Sequence, residues 1–526
     1  MATNRSRMLC AAAVGCVLLV EACTKGIDPA VLKARADDAR ATLAAIKLDT
    51  VKTLFFAQAQ YEELLDHRAR ADALFDVSNW EESADAYPEI ITAYQALADR
   101  TAQVAWVHVS DQPLADSAVA VHQTGDGGYI VAGTIMIGKD FARDLYLTKL
   151  TPTGEETWTQ TYGGTDKEAV GTVRPLADGG YILAGQTSSF RDYSGDVYLI
   201  RTDALGNALW SETFGKTGSE VCVDVLPLDD GGFLAVGRSF AGNYGMDAYL
   251  VRTDGDGQLA WERTLGGADD QFISDVVRTA DGTILLAGSA GTLNDNDLEL
   301  FLMMIDAEGN ELWRASPEAP GFIDPGSVHV VHTLDGGYSL TAGYLSRDSQ
   351  VRAWSGTEEG EDIALIKLDA SGEAIWTKTF GGSKWDAPRG VHQTADGGYA
   401  IVGATRSFGA GGEDVYVIKT NAEGEEEWSR TIGTPDNEKP NATLRTADGG
   451  FLIVGGKMIG RSGKTLDAYV VKTDERGHTW VDGAPFSSPG VKPESIQEGV
   501  PPTTAPPGSG DLAQGPLALR RTTILL

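Results

Sequence analysis

The sequence predicts a mainly β fold, a seven-bladed β-propeller of four-stranded antiparallel blades preceded by an α-helical segment. Three observations lead there. The phrase Asp-Gly-Gly or a close variant recurs seven times, beginning at Asp126, Asp178, Asp230, Asp281, Asp335, Asp396 and Asp448. Tryptophan recurs in phase at 106, 158, 210, 261, 313, 376, 428 and 480, with spacings of 52, 52, 51, 52, 63, 52 and 52. Between the two markers each unit shows four short apolar runs bounded by turn residues, as in SAVAVHQT, YIVAGT, LYLTKL and TWTQTYG. Such runs read as strands. Four antiparallel strands every ~50 residues are the mark of propeller blades, because one small sheet cannot cover its own two faces and must stack on its neighbours.

Within a unit, call the strands a to d. Asp-Gly-Gly supplies the a–b hairpin, and a glycine four residues before most of the tryptophans (Gly154, Gly206, Gly257, Gly309, Gly372, Gly424) supplies the c–d hairpin. Both tight turns tolerate positive φ. They share one end of the ring, so the longer b–c and d–a loops share the other. Eight tryptophan segments serve seven blades, and 103–109 has the better strand character of the two terminal ones. It is therefore expected to pair as the outer strand of the last blade, beside 467–474, and to close the ring.

Four divisions follow: 1–22 a lipoprotein signal peptide, 23–102 a helical stalk or bundle, 103–483 the propeller, and 484–526 a disordered tail rich in Pro, Gly, Ser and Thr. Arg5 and Arg7 precede an apolar run of about 13 residues, too short for an ordinary membrane-spanning helix. The run ends in Val-Glu-Ala-Cys, which resembles the lipobox of bacterial lipoproteins and implies acylation, and hence membrane anchoring, at Cys23. From Asp28 to about Arg100 the composition turns to Ala, Leu and charged residues with almost no glycine, which favours helix. Cysteines stand only at 10, 16, 23 and 222, leaving no disulfide framework. The net charge of -32 opposes binding to any polyanion, and nucleic acid is not an expected partner.

The repeated DGGY, small-residue loop, Asp-x-Tyr, Lys-x-Asp, Gly and Trp resemble the units of bacterial secreted and cell-surface β-propeller repeat proteins, here of lipoprotein type. The unit ending, as in LDASGEAIW, is also similar to the Trp-docking motif of quinoprotein dehydrogenases and of the outer-membrane lipoprotein propeller that assists β-barrel assembly. Trp158, Trp210, Trp261, Trp313, Trp376, Trp428 and Trp480 are expected to pack between blades. Asp144, Asp196, Asp247, Asp362, Asp414 and Asp467, at the start of strand c, are expected to accept backbone hydrogen bonds from a neighbouring loop.

No His-Glu-x-x-His, Gly-x-Ser-x-Gly or phosphate loop is present. No catalytic residue, cofactor or metal site is therefore expected; Asp254 and Asp256 read as a hairpin turn and not a calcium loop. The loop-rich end collects aromatics suited to a binding face: Phe141, Phe190, Tyr193, Phe240, Tyr244, Trp354 and Phe408 on b–c loops, with Phe272, Phe322 and Trp385 on d–a loops. The fifth unit is the longest, with its additional residues mostly before Asp362. The leading expectation is a monomeric, non-catalytic binding or scaffold module of the cell envelope for protein or glycan, held at the outer membrane or cell surface by its lipid. The alternative is a propeller enzyme acting on extracellular glycan, with Asp166, Asp270 and Asp386 as acid and base candidates, which requires two of them to converge.

Overall fold

The computed structural model describes residues 106–110, 116–137, 142–190, 195–216, 218–240, 245–267, 269–292, 298–346, 360–459, 465–481, 484–485, 487–489 and 519–522. The signal peptide with Cys23 and the helical segment lie outside the described residues. The rest forms seven antiparallel blades: 116–162, 168–214, 219–265, 270–315, 321–380, 386–432, and 437–472 completed by Trp106–Ser110. The first strand of the described chain stands next to Thr465–Lys472 in the last blade, the position that the surplus tryptophan segment implies. Two short strands add outside this frame, Ser487–Pro489 on blade 6 and Leu519–Thr522 on blade 7. Both belong to the tail that composition reads as disordered. Ladder hydrogen bonds use only the backbone, so pairing at a sheet edge needs little of the apolar content that this tail lacks.

Strand a is the innermost of each blade and carries a one-residue bulge, for instance between Ala118 and Ala120 or between Pro388 and Gly390. Blade 5 departs from this. Its strand a is split into Gly321–Ile323 and His329–His332, both paired to Tyr338–Ser346, and the five residues between them leave the ladder.

The core is built between blades. One cluster joins Ile130, Leu145 and Leu147 of blade 1 to Val173, Leu183 and Ile200 of blade 2, all fully buried. The tryptophans seal the outer part of each junction. In six junctions the positive-φ glycine of one c–d turn lies over the indole of the preceding blade: Gly206 on Trp158, Gly257 on Trp210, Gly309 on Trp261, Gly372 on Trp313, Gly424 on Trp376 and Gly477 on Trp428. A Cβ at any of these glycines would come within 2.5 to 3.2 Å of the ring. Trp210 also donates from Nε1 to the Gly255 carbonyl, 3.1 Å away, and meets Phe233 edge-on. Trp480 opens a two-residue strand, and its side chain is outside the described set.

At the tight-turn end a second tie repeats. The Asp of Asp-Gly-Gly accepts from the backbone N–H two residues on and pairs with a Lys or Arg near the end of strand c. The pairs are Lys149–Asp126, Arg201–Asp178, Arg252–Asp230, Lys367–Asp335, Lys419–Asp396 and Lys472–Asp448. Each cation also donates to the carbonyl of the residue after it, as Lys149 does to Leu150 and Lys367 to Leu368. Blade 4 lacks the cation, with Met304 in its place, and there the second glycine is Thr283, whose hydroxyl donates to Asp281 at 2.8 Å.

Candidate functional site at the loop-rich end

At the opposite end five blade junctions are built on a glycine at the close of strand d: Gly163, Gly215, Gly266, Gly381 and Gly433. The Asp that opens strand c sets one carboxyl oxygen against this glycine, and the first acidic residue of the next blade's strand a approaches the same point. Asp144 and Glu168 meet at Gly163, Asp196 and Glu220 at Gly215, Asp362 and Asp386 at Gly381, and Asp414 and Glu438 at Gly433. A Cβ at these glycines would be overlapped by the Asp oxygen and lie 2.7 to 3.0 Å from the second acid. The strand-a acid is held from two sides: Glu168 accepts from the Thr187 hydroxyl at 2.8 Å and from the Gly164 N–H at 3.4 Å. Burial, followed by the charge of Glu168, raises the Asp144 pKa to about 6; Asp362 is likewise raised to about 6 by burial and then by Asp386. The expected backbone donors are present in part, since Asp414 accepts from the Gly411 N–H at 3.0 Å.

Blades 5 and 6 add to the pattern. Where the other inner strands carry a single bulged residue, blade 5 opens at Asp324, and Glu361 of its strand c and Trp385 of the next d–a loop come together. Trp385 donates from Nε1 to Glu361 Oε2 at 2.6 Å, and the guanidinium groups of Arg389 and Arg406 lie 5.8 and 5.1 Å from its ring centroid. Glu361 is 5% exposed, and burial, together with nearby Asp324, raises its pKa to about 8. Trp385 is thus half-buried and engaged through its ring and its N–H, whereas the sequence places it among the open aromatics. Asp324, Glu361, Arg389 and Arg406 are not singled out by the sequence; the one available signal is the extra length of the fifth unit.

The remaining predicted aromatics divide. Phe190 and Phe240, at the b–c loops of adjacent blades 2 and 3, are each 49% exposed. Phe190 leans on Tyr198 with ring centroids 5.4 Å apart, and Phe408, its counterpart in blade 6, leans on Tyr416 at 5.5 Å and packs against a core cluster. Phe141, Tyr193, Tyr244 and Trp354 lie outside the described residues. Phe272 is not a loop residue: it lies within strand Asp270–Arg278 and is buried, and Phe322 is half-buried in a strand of blade 5.

The three carboxylates of the enzyme alternative sit at three separate junctions. Asp166 donates its backbone N–H to the Ser189 hydroxyl oxygen at 2.9 Å, Asp270 accepts from the Met246 N–H at 2.7 Å, and Asp386 accepts from the Ser407 hydroxyl at 2.7 Å. Asp254 uses its carboxylate to accept the Asp256 and Gln258 N–H groups of its own hairpin. Among the described residues no three His, Cys, Asp or Glu side chains are grouped to hold a metal ion. His392 stacks on Phe451 with ring centroids 6.4 Å apart.

No family model matches the chain, and no curated protein sequence does so. Solved structures similar to it include YCF48 from Cyanidioschyzon merolae (11% identity, 70% of this chain and 99% of that one, TM-score 0.42). The polysaccharide lyase Uly1 (11%, 68% and 90%, TM-score 0.43) is another. A third is the GH93 α-L-arabinofuranosidase of Fusarium graminearum, solved with arabinobiose (12%, 70% and 98%, TM-score 0.41).

Proposed function

We propose that this chain is a non-catalytic binding module of the cell envelope, lipid-anchored at Cys23, whose ring presents its loop-rich end to a protein or glycan. One observation carries the reading: Phe190 and Phe240 stand about half-exposed at that end on adjacent blades. An aromatic ring left in water at a rigid rim costs hydration free energy and offers contact area at little entropy cost on binding. The enzyme alternative gains no such support, since its three carboxylates each serve a different junction.

The test is a double replacement, Phe190→Ser with Phe240→Ser. Stability is expected to stay within about 1 kcal/mol, as for surface sites, while capture of envelope proteins or arrayed glycans by the intact chain falls. Unchanged capture overturns the assignment of this face. Anchoring is tested separately by fatty-acid labelling of cells carrying wild type or Cys23→Ala, where equal label in both rejects Cys23.

A further inference from the structure

We infer that the acid pairs at the loop-rich rim each hold one shared proton in the folded ring, so that the blade junctions there form a set of proton-binding sites. The inference is independent of what the ring binds. Its basis is geometric. The two carboxyl groups of each pair converge on one glycine, which places them within about 5 Å of each other, close enough for like charges to disfavour double ionisation. The strand-a acid has donors of its own, such as Thr187 for Glu168 and Ser239 for Glu220. The inward oxygens of Asp144, Asp362 and Asp414 are buried and have no hydrogen-bond partner. A proton on one member supplies the missing donor.

Blade junction 3–4 is the comparison, with Asp270, the residue that opens its strand a, as the other carboxylate near Asp247. There the second acid is replaced by its neutral isostere: Gln271 approaches Gly266 beside Asp247 just as Glu168 approaches Gly163 beside Asp144, at 2.8 and 2.9 Å from the position of a Cβ. The amide turns its oxygen to this point and donates from Nε2 to the Asp269 carbonyl, so the position takes an uncharged side chain of the same shape. At the next junction both features are absent together, with Glu299 exposed and Ser316 in place of the glycine.

Other ionisable groups face the pairs. Tyr198 faces Asp144 and Glu168; Tyr249, Glu262 and Lys216 surround Glu220; Tyr416 and Glu361 face Asp386; and Lys457 reaches Glu438 Oε1 at 3.0 Å, with Tyr469 beside it. The Lys457 contact supplies a permanent cation at junction 6–7, so junctions 1–2, 2–3 and 5–6 are the cleaner cases.

Two variants of the full chain test this. The pH slope of unfolding free energy near pH 5.5 counts the protons taken up on folding. Glu168→Gln copies junction 3–4 into junction 1–2 and is expected to remove about one proton from that count; Gln271→Glu creates a pair at junction 3–4 and is expected to add about one. An unchanged slope in either variant overturns the proposal. Should Glu168→Gln fail to fold, Gln271→Glu decides alone.

Discussion

Behind the second glycine of each Asp-Gly-Gly turn stand the carbonyl that follows the strand-c cation and the cation itself, and together they leave no room for a side chain. A Cβ at Gly337 or Gly398 would lie 2.8 Å from the Lys367 or Lys419 ammonium, and only in blade 4, where Met304 removes the charge, does a threonine occupy the position. Gly398→Thr is therefore expected to expel Lys419 from Asp396 and cost about 2–4 kcal/mol, whereas Thr283→Gly should cost about 1 kcal/mol or less; urea denaturation of the two distinguishes them. Trp385 makes a second residue-scale case. Its replacement by Ala leaves Glu361 without the indole donor and separates two arginines from their shared ring, so a loss of about 1–3 kcal/mol is expected, measured against Phe240→Ala, which should cost much less.

At the scale of elements, what the sequence reveals depends on repetition. Strands, both tight turns, the inter-blade role of the tryptophans and the closing strand are all legible because each blade restates them, and hydrophobic period plus turn residues suffice. The acid pairs are harder to read. Their strand-a member varies among Asp, Glu and Gln, and nothing local says that Glu168 will face Asp144 and not solvent. Hardest of all is the cluster of Asp324, Glu361, Arg389 and Arg406, which occurs once and joins residues from two blades through an irregular strand. Phe272 illustrates the opposite error, an aromatic near a loop that the strand carries inward. The closing strand itself supports a prediction: Val107→Pro puts a residue without an N–H at a buried position of a strand paired on both sides and should destabilise the ring by roughly 3 kcal/mol or more. The uncovered edge should also promote association, visible by sedimentation.

For the whole molecule, two sets of groups give opposite pH signatures. Asp126, Asp335 and Asp396 have pKa values lowered to about 2, with hydrogen bonds and their lysine partners overcoming the effect of burial. Depressed values mean that their contribution is present above the ordinary carboxylate range and is lost as pH falls from about 4 toward 2. Raised groups behave in reverse. Asp414 and Asp275, pushed up to about 7 mainly by burial, and Glu361 at about 8, stabilise the fold when protonated and lose that contribution as pH rises through these values. His122, His329 and His392, lowered by burial to about 4, 3 and 4, oppose acidification only below about 6.5, where the unfolded chain begins to take up their protons. Thermal stability is thus expected to rise as pH is brought from 8 to 6.5, with a smaller rise in Asp414→Asn.

The strand that completes the last blade is also the first of the described strands to be made. During synthesis Trp106–Ser110 leaves the ribosome about 350 residues before its partner Thr465–Lys472, which at ordinary elongation rates is a wait on the order of 20–70 s. Through that interval blades 1 to 6 can assemble in order while the early strand remains unpaired, so capture of this segment is the event that commits the chain, and any factor that occupies it in the meantime sets the yield of closed rings.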